Sequence, residues 1–217
     1  MNPSAQTAQA AQVAEALAER GFAIVADWLP PDQVAALAEE ALALADGGQL
    51  RHAGVGRGAG HAVRQDIRGD RILWLDEQAP TPAQARYWAA IEELRAALNR
   101  ELYLGLAYFE AHYAVYPPGA HYQKHIDRFS DADERVISCS LYLSRAWREE
   151  HGGQLRLHLA DGHPDGHPDG HIDVLPAAGT CVLFRSDTFL HEVLPATQTR
   201  LSVTGWFRRR SAGAIPG

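Results

Sequence analysis

Apolar residues in the N-terminal half recur at helical spacing, whereas the C-terminal half breaks into short apolar runs punctuated by turn residues. In the Ala-rich start, Val13 and Leu17 lie on one face, and Arg20-Gly21 supplies a helix stop. Phe22 to Val25 reads as a short strand. Pro30, Pro31 and Asp32 then open a second helix whose positions Val34, Leu37, Ala38, Ala41 and Leu42 follow the 3.6-residue period until Gly47 and Gly48 close it. Ile67 to Leu75 has the look of a strand. Thr81 or Pro82 starts a third helix through Trp88, Ile91, Leu94, Leu98 and Leu102.

From Leu106 onward the pattern predicts strands at Leu106 to Tyr116, Tyr122 to Ile126, Arg135 to Leu143, Gln154 to Leu159, Ile172 to Leu175, Thr180 to Phe184, Leu190 to Leu194 and Leu201 to Phe207. Helices first and many short strands afterwards predict an α+β, mainly β fold, a sandwich or barrel buttressed by N-terminal helices. Two segments fall outside the pattern. Residues 51–60 hold four glycines and little apolar content, which suits a surface loop or a lid over a site. Gly162 to His171 repeats Gly-His-Pro-Asp, and its prolines place it in a strand-to-strand loop.

A chain of 217 residues fits one domain with a sizeable core. The expected division is helical support over 1–104, carrying the lid loop 51–66, and a β core over 105–210. The formal charge of −7 argues against a nucleic-acid binder. No apolar run approaches the ~20 residues that span a bilayer. The first basic residue is Arg20, so a signal peptide's charged start is missing. Cys139 and Cys181 each sit inside an apolar run and read as buried thiols in a reducing compartment. The expected location is the cytoplasm.

The chemistry is carried by few residues. His125-Ile126-Asp127 falls in or at the end of a strand, where alternate side chains share a face. The tripeptide alone is equally what a surface ion pair produces. A further imidazole, best supplied by His191, would complete two nitrogens and one oxygen on one side of a metal, a set that suits non-haem iron(II). Arg200 follows nine residues later. If the strands around His191 and Arg200 are antiparallel neighbours, the guanidinium stands inside the same barrel. A buried arginine needs an anion, and its planar fork fits a carboxylate.

With these residues in view, the chain resembles the iron(II)- and 2-oxoglutarate-dependent dioxygenases, and more narrowly the prolyl hydroxylases related to those acting on hypoxia-inducible factor. The resemblance spans roughly residues 45–207. It rests on Ile67-Arg68-Gly69-Asp70-Arg71-Ile72-Leu73-Trp74-Leu75, Tyr116-Pro117-Pro118-Gly119, Tyr122-Gln123-Lys124-His125-Ile126-Asp127, Leu141-Tyr142-Leu143, Gly152-Gly153-Gln154-Leu155-Arg156, His191-Glu192-Val193-Leu194-Pro195, and Thr199-Arg200 to Trp206. The turn Pro117-Pro118 is about one residue shorter than the family's.

The resemblance implies a double-stranded β-helix of the jelly-roll or cupin type. It implies Fe(2+) held by His125, Asp127 and His191, and 2-oxoglutarate held at its far carboxylate by Arg200 and the Tyr142 hydroxyl. Tyr116, Thr204 and Trp206 would line the cosubstrate pocket, although ordinary core packing accounts equally well for Trp206. Arg68, Asp70, Trp74 and Arg135 would meet the substrate together with the loop 51–65, with Asp70 pairing Arg135. The alternative for these residues is a structural ion pair. Dioxygen is the other reactant, and ascorbate a reductant such enzymes use.

Three functions stay open. The first is a prolyl 4-hydroxylase acting on a proline of another cytosolic protein and releasing succinate and carbon dioxide. Lys124 is the single lysine among 20 Lys and Arg, as in chains from GC-rich bacterial genomes. Bacterial relatives are associated with elongation factor Tu, which becomes a candidate partner. The second is the same chemistry on a small molecule or a non-prolyl side chain. The third is a sensor module that binds iron and 2-oxoglutarate without turnover. Outside this site, His163, His167 and His171 form a His-rich tract of the kind that binds a second metal, or a solvated loop. Arg208, Arg209 and Arg210 form a solvated edge or a dock for an acidic partner.

Overall fold

The computed structural model describes residues 3–54, 62–128, 134–160, 163 and 169–210. Three helices, α1 (Pro3–Arg20), α2 (Pro31–Asp46) and α3 (Pro82–Leu102), begin and end at the punctuation the sequence supplies. Gly21 leaves α1 at φ +76° and its N–H donates to the Leu17 carbonyl. The Thr81 side chain accepts the Gln84 N–H at the start of α3, and its hydroxyl donates to Glu40 on α2.

The strands are β1 (Phe22–Val25), β2 (Arg51–His52), β3 (Arg71–Trp74), β4 (Leu106–Tyr116), β5 (Tyr122–His125), β6 (Arg135–Tyr142), β7 (Leu155–His158), β8 (His171–Val174), β9 (Cys181–Arg185), β10 (His191–Val193) and β11 (Arg200–Arg209). They form two antiparallel sheets, a large one in the order β1-β9-β6-β11-β4-β3-β2 and a small one in the order β5-β10-β7-β8. This is the double-stranded β-helix arrangement, mainly β with helical buttressing.

Strand alternation divides the apolar residues between two cores. On the large sheet, Phe109, Tyr113, Ile137, Cys139, Leu141, Leu183, Leu201, Val203 and Phe207 join Leu17, Leu37, Tyr87, Ile91 and Leu98 beneath the helices. Their neighbours Ala114, Tyr116, Tyr142, Val182 and Phe184 face inward, toward Leu155, Leu157, Val174 and Val193 of the small sheet. At about 1.5–3 kcal/mol for each large apolar side chain buried, the helix-side cluster anchors the large sheet. The inward face is free to line a cavity.

Several expectations change here. Within 1–104, the expected strand Phe22–Val25 is β1, and it extends the large sheet together with β2 and β3. β3 begins only at Arg71, because Ile67 and Arg68 donate to the Arg64 carbonyl in a turn. The strands carrying His191 and Arg200 are not neighbours. β10 pairs with β5 and β7, and β11 with β4 and β6, so the two residues face each other from different sheets. Of the glycine-rich loop, residues 55–61 lie outside the described residues; Arg51 and His52 are strand, and the Ala53 N–H donates to the Asp70 carbonyl.

Candidate metal centre and cosubstrate cavity

Between the sheets lies a cavity of about 530 Å³. Its floor consists of the inward rows of the large sheet: His112, Ala114 and Tyr116 on β4, Arg200, Thr204 and Trp206 on β11, and Ser138 and Ser140 on β6. Tyr122, His125, His191 and Val193 face them from the small sheet.

His125 and His191 are direct partners in the β5–β10 register, which puts their rings 4.1 Å apart. Asp127 does not share their strand, since β5 ends at His125 and the carboxylate arrives from the following turn. Its Oδ1 lies 3.7 Å from His125 Nε2 and its Oδ2 lies 3.6 Å from His191 Nε2. The three ligand atoms fall within 4.8 Å of one another.

Each imidazole is oriented by its other nitrogen. Nδ1 of His125 meets the Gln123 carbonyl at 2.7 Å, and Nδ1 of His191 meets that of Phe189 at 3.1 Å. A carbonyl only accepts, so both Nδ1 atoms carry the proton and both Nε2 lone pairs are left for a metal. Burial, reinforced by His191, pushes the His125 imidazole down to about 3. Burial alone would raise the Asp127 carboxyl, but His191, His125 and the Ser138 hydroxyl outweigh it and hold it down at about 2. His125 and Asp127 are therefore deprotonated at neutral pH, the form in which a divalent cation takes them.

Ser138 Oγ donates to Asp127 Oδ2 at 2.6 Å and lies 2.9 Å from Ser186 Oγ. All three side chains are buried. Neither serine was expected at the site, yet counting back by twos from Tyr142 along β6 reaches Ser140 and Ser138. His112 is reached in the same way from Tyr116.

Arg200 is 3% exposed, and no carboxylate pairs with it among the described residues. Its Nε donates to the Gly153 carbonyl at 2.9 Å. The guanidinium stands 4.8 Å from the Tyr142 ring and 5.2 Å from that of Tyr116. The buried Tyr142 hydroxyl has no hydrogen-bond partner among the described residues. Burial pushes the Tyr142 phenol well above its ordinary range, so it stays a donor. An unmatched buried cation beside an unmatched buried hydroxyl fits the far carboxylate of a dicarboxylate. The two-His, one-carboxylate set likewise fits iron(II).

The mouth differs from expectation. Asp70 pairs with Arg68, through Nε at 2.7 Å and Nη2 at 2.9 Å, and not with Arg135. Arg135 instead pairs with Glu110 and lies 3.6 Å over the Trp206 ring. Nearness along the chain explains the exchange, because Arg68 and Asp70 flank one residue just before β3 and close on each other. Trp74 is 51% exposed at the rim, edge-on to His112. Thr204 touches Ser140 and Ser202 through their hydroxyls, and Trp206 is buried on the cavity wall.

The other sequence features are spent elsewhere. His163 contacts the Arg20 carbonyl and stacks on Phe22, and His171 lies beside Asp173. His167 lies outside the described residues, and among those described the one metal-competent group is His125, Asp127 and His191. Arg208 pairs with Glu110 and Glu134, and Arg209 donates to the Leu104 carbonyl.

Residues 111–208 match the 2OG-Fe(II) oxygenase superfamily. Among solved structures, the chain is similar to a prolyl-4-hydroxylase from Pseudomonas putida, with 46% identity and a TM-score of 0.82 over 93% of this chain and 100% of that one. It is also similar to a Trichoplax adhaerens prolyl hydroxylase in complex with a hypoxia inducible factor oxygen degradation domain peptide fragment. There the identity is 25% and the TM-score 0.83, over 94% of this chain and 91% of that one. Human Egl nine homolog 1 is 27% identical over 200 residues, covering 87% of this chain and 44% of the human protein. The chain spans about half the length of the mammalian curated relatives it matches.

Proposed function

The chain belongs to the 2OG-Fe(II) oxygenase superfamily, and from that premise we propose that it is a prolyl 4-hydroxylase acting on a proline of another protein. The carrying observation is the aromatic wall beside the metal ligands. Trp74, His112 and Trp206 stand in contact along one side of the cavity, with ring centroids 4.9, 5.6 and 6.3 Å apart. An apolar, ring-lined slot next to the ligands suits a pyrrolidine ring. The half-exposed Trp74 continues it outward, where a polypeptide on either side of the proline would lie. The 46% identity to a prolyl-4-hydroxylase over nearly the whole chain supports the same reading.

When iron(II) and 2-oxoglutarate are bound, they supply the activation of dioxygen, with 2-oxoglutarate leaving as succinate and carbon dioxide. The protein's part is binding and placement. His125, Asp127 and His191 would hold the metal through three ligand atoms presented together. Arg200 and Tyr142 take the far carboxylate of the cosubstrate, with Tyr116 beside them. Ser138 holds Asp127 in place. Trp206, with Arg135 stacked on it, forms the wall against which the substrate C–H is held, and the apolar side chains Ile72, Leu155, Phe184 and Val193 keep water from the reacting centre.

The test is succinate formation from iron(II) and 2-oxoglutarate with and without proline-containing polypeptides, elongation factor Tu first among them, followed by mass analysis. Polypeptide-stimulated turnover with gain of one oxygen on proline supports the proposal. Coupled oxidation of a small molecule or of another side chain, with proline untouched, contradicts it.

A further inference from the structure

We infer that Tyr122 is a positioning residue for the metal ligand His125, held in turn by the buried Arg68–Asp70 pair. The ring of Tyr122 lies on the His125 imidazole with centroids 3.6 Å apart and planes 17° from parallel. The Arg68 guanidinium carbon stands 4.7 Å from the same Tyr122 ring. Arg68 is fixed by its two-point bond to Asp70, whose side chain is completely buried. One continuous column therefore runs from carboxylate to guanidinium to phenol to the ligand imidazole.

The need for such a column follows from the topology. β5 is four residues long and lies at the edge of the small sheet, so only β10 supports it within that sheet. A ligand on a short edge strand is poorly determined by the ladder alone. The chain adds a second support on the open side. Arg68 bridges Tyr122, the Gly69 N–H donates to the His121 carbonyl, and the Gln123 N–H donates to the Ile67 carbonyl. The Gln123 side chain donates to the Asp66 carbonyl. The segment carrying Arg68 and Asp70 is thus stitched to the strand that carries His125.

The Arg68–Asp70 pair is an uneconomical way to stabilise a fold, since burying two charges costs much of what their attraction returns. Its geometric product is a guanidinium fixed against a ring, a stacking role that an ammonium could not fill equally. The hydrogen bond from Nδ1 to the Gln123 carbonyl sets the His125 tautomer and one in-plane direction. The Tyr122 ring sets the tilt of the imidazole plane. Together they orient Nε2.

The test measures cobalt(II) and manganese(II) binding to the full chain by calorimetry, with the cobalt(II) absorption spectrum as a reporter of ligand geometry. Tyr122→Phe keeps the ring and is expected to bind within about twofold of the native chain. Tyr122→Leu removes the ring and is expected to bind about 10- to 100-fold more weakly, with an altered cobalt(II) spectrum. Arg68→Lys, which leaves Asp70 a cation but loses the flat fork, is expected to fall between the two. The thermal midpoint of each metal-free variant is measured alongside. Native metal affinity and spectrum in Tyr122→Leu would overturn the inference. So would a loss in Tyr122→Phe equal to that in Tyr122→Leu, or a loss in Arg68→Lys with the cobalt(II) spectrum unchanged.

Discussion

Arg200 donates its Nε to the carbonyl oxygen of Gly153 at 2.9 Å, and Gly153 offers that carbonyl from a backbone at φ +71°. A Cβ there would meet the Ala196 Cβ at 2.9 Å and the Arg200 Cδ at 3.3 Å. The glycine is thus part of the cradle that aims the guanidinium. Gly153→Ala is expected to raise the 2-oxoglutarate concentration for half-maximal turnover about tenfold, from strain on the order of 1–3 kcal/mol. Metal affinity should hardly change. Titrating 2-oxoglutarate and metal separately checks both parts.

Arg200→Lys keeps a positive charge but loses the two-point fork. The 2-oxoglutarate requirement is expected to rise about 10- to 100-fold, and Tyr142→Phe to raise it by less, since it removes one neutral donor. Equilibrium binding of 2-oxoglutarate to the manganese(II)-loaded protein measures each.

Ser138→Ala removes the 2.6 Å hydrogen bond to Asp127 and leaves the Ser186 hydroxyl without it. Metal affinity should drop about tenfold or more, because outer hydrogen bonds of ligating carboxylates fix their orientation. Ser138→Thr should restore most of it. Calorimetric titration with manganese(II) is the measurement.

Trp74 is half-exposed at the rim, so Trp74→Ala should leave folding nearly untouched. If a polypeptide crosses this rim, the variant should bind it about tenfold more weakly while binding of 2-oxoglutarate is unchanged. Steady-state titration of both substrates separates the effects.

His112 is buried on the cavity floor, and burial pushes its imidazole from the usual 6.5 down to about 4. Between those values the unfolded chain binds the proton and the folded chain does not. The stability this gives is complete above about pH 6.5 and is lost as pH falls toward 4. At pH 4.5 the loss should be on the order of 2 kcal/mol. Urea unfolding of the metal-free protein at pH 7 and pH 4.5 should show this slope, and His112→Phe should be flatter by that amount.

Much of this was legible in the chain itself because local chemistry decided it. Thr81-Pro82 and Pro31 open helices, and Gly21 closes one, through backbone constraints that no tertiary contact has to supply. The alternation in β4, β6 and β11 set which residues line the cavity. Strand neighbours were not legible, since apolar runs do not state their partners. His191 and Arg200, close in sequence, went to different sheets. Asp70 took Arg68 instead of Arg135 because a cation two residues away in the chain outcompetes a distant one. Ser138 stayed hidden because a serine in a strand is ordinary until the carboxylate it touches is known. Tyr122 appeared only as part of a motif, because residues three apart in a regular strand face opposite sides, and its stacking on His125 depends on the register shift between β5 and β10.

The most direct measurement of the central claim is the fate of labelled dioxygen. With iron(II), 2-oxoglutarate and a polypeptide that stimulates turnover, one labelled atom should enter succinate and the other a proline hydroxyl, in equal amounts. Both should vanish in His191→Ala. Label absent from proline while succinate accumulates, or undiminished incorporation in His191→Ala, would contradict the account.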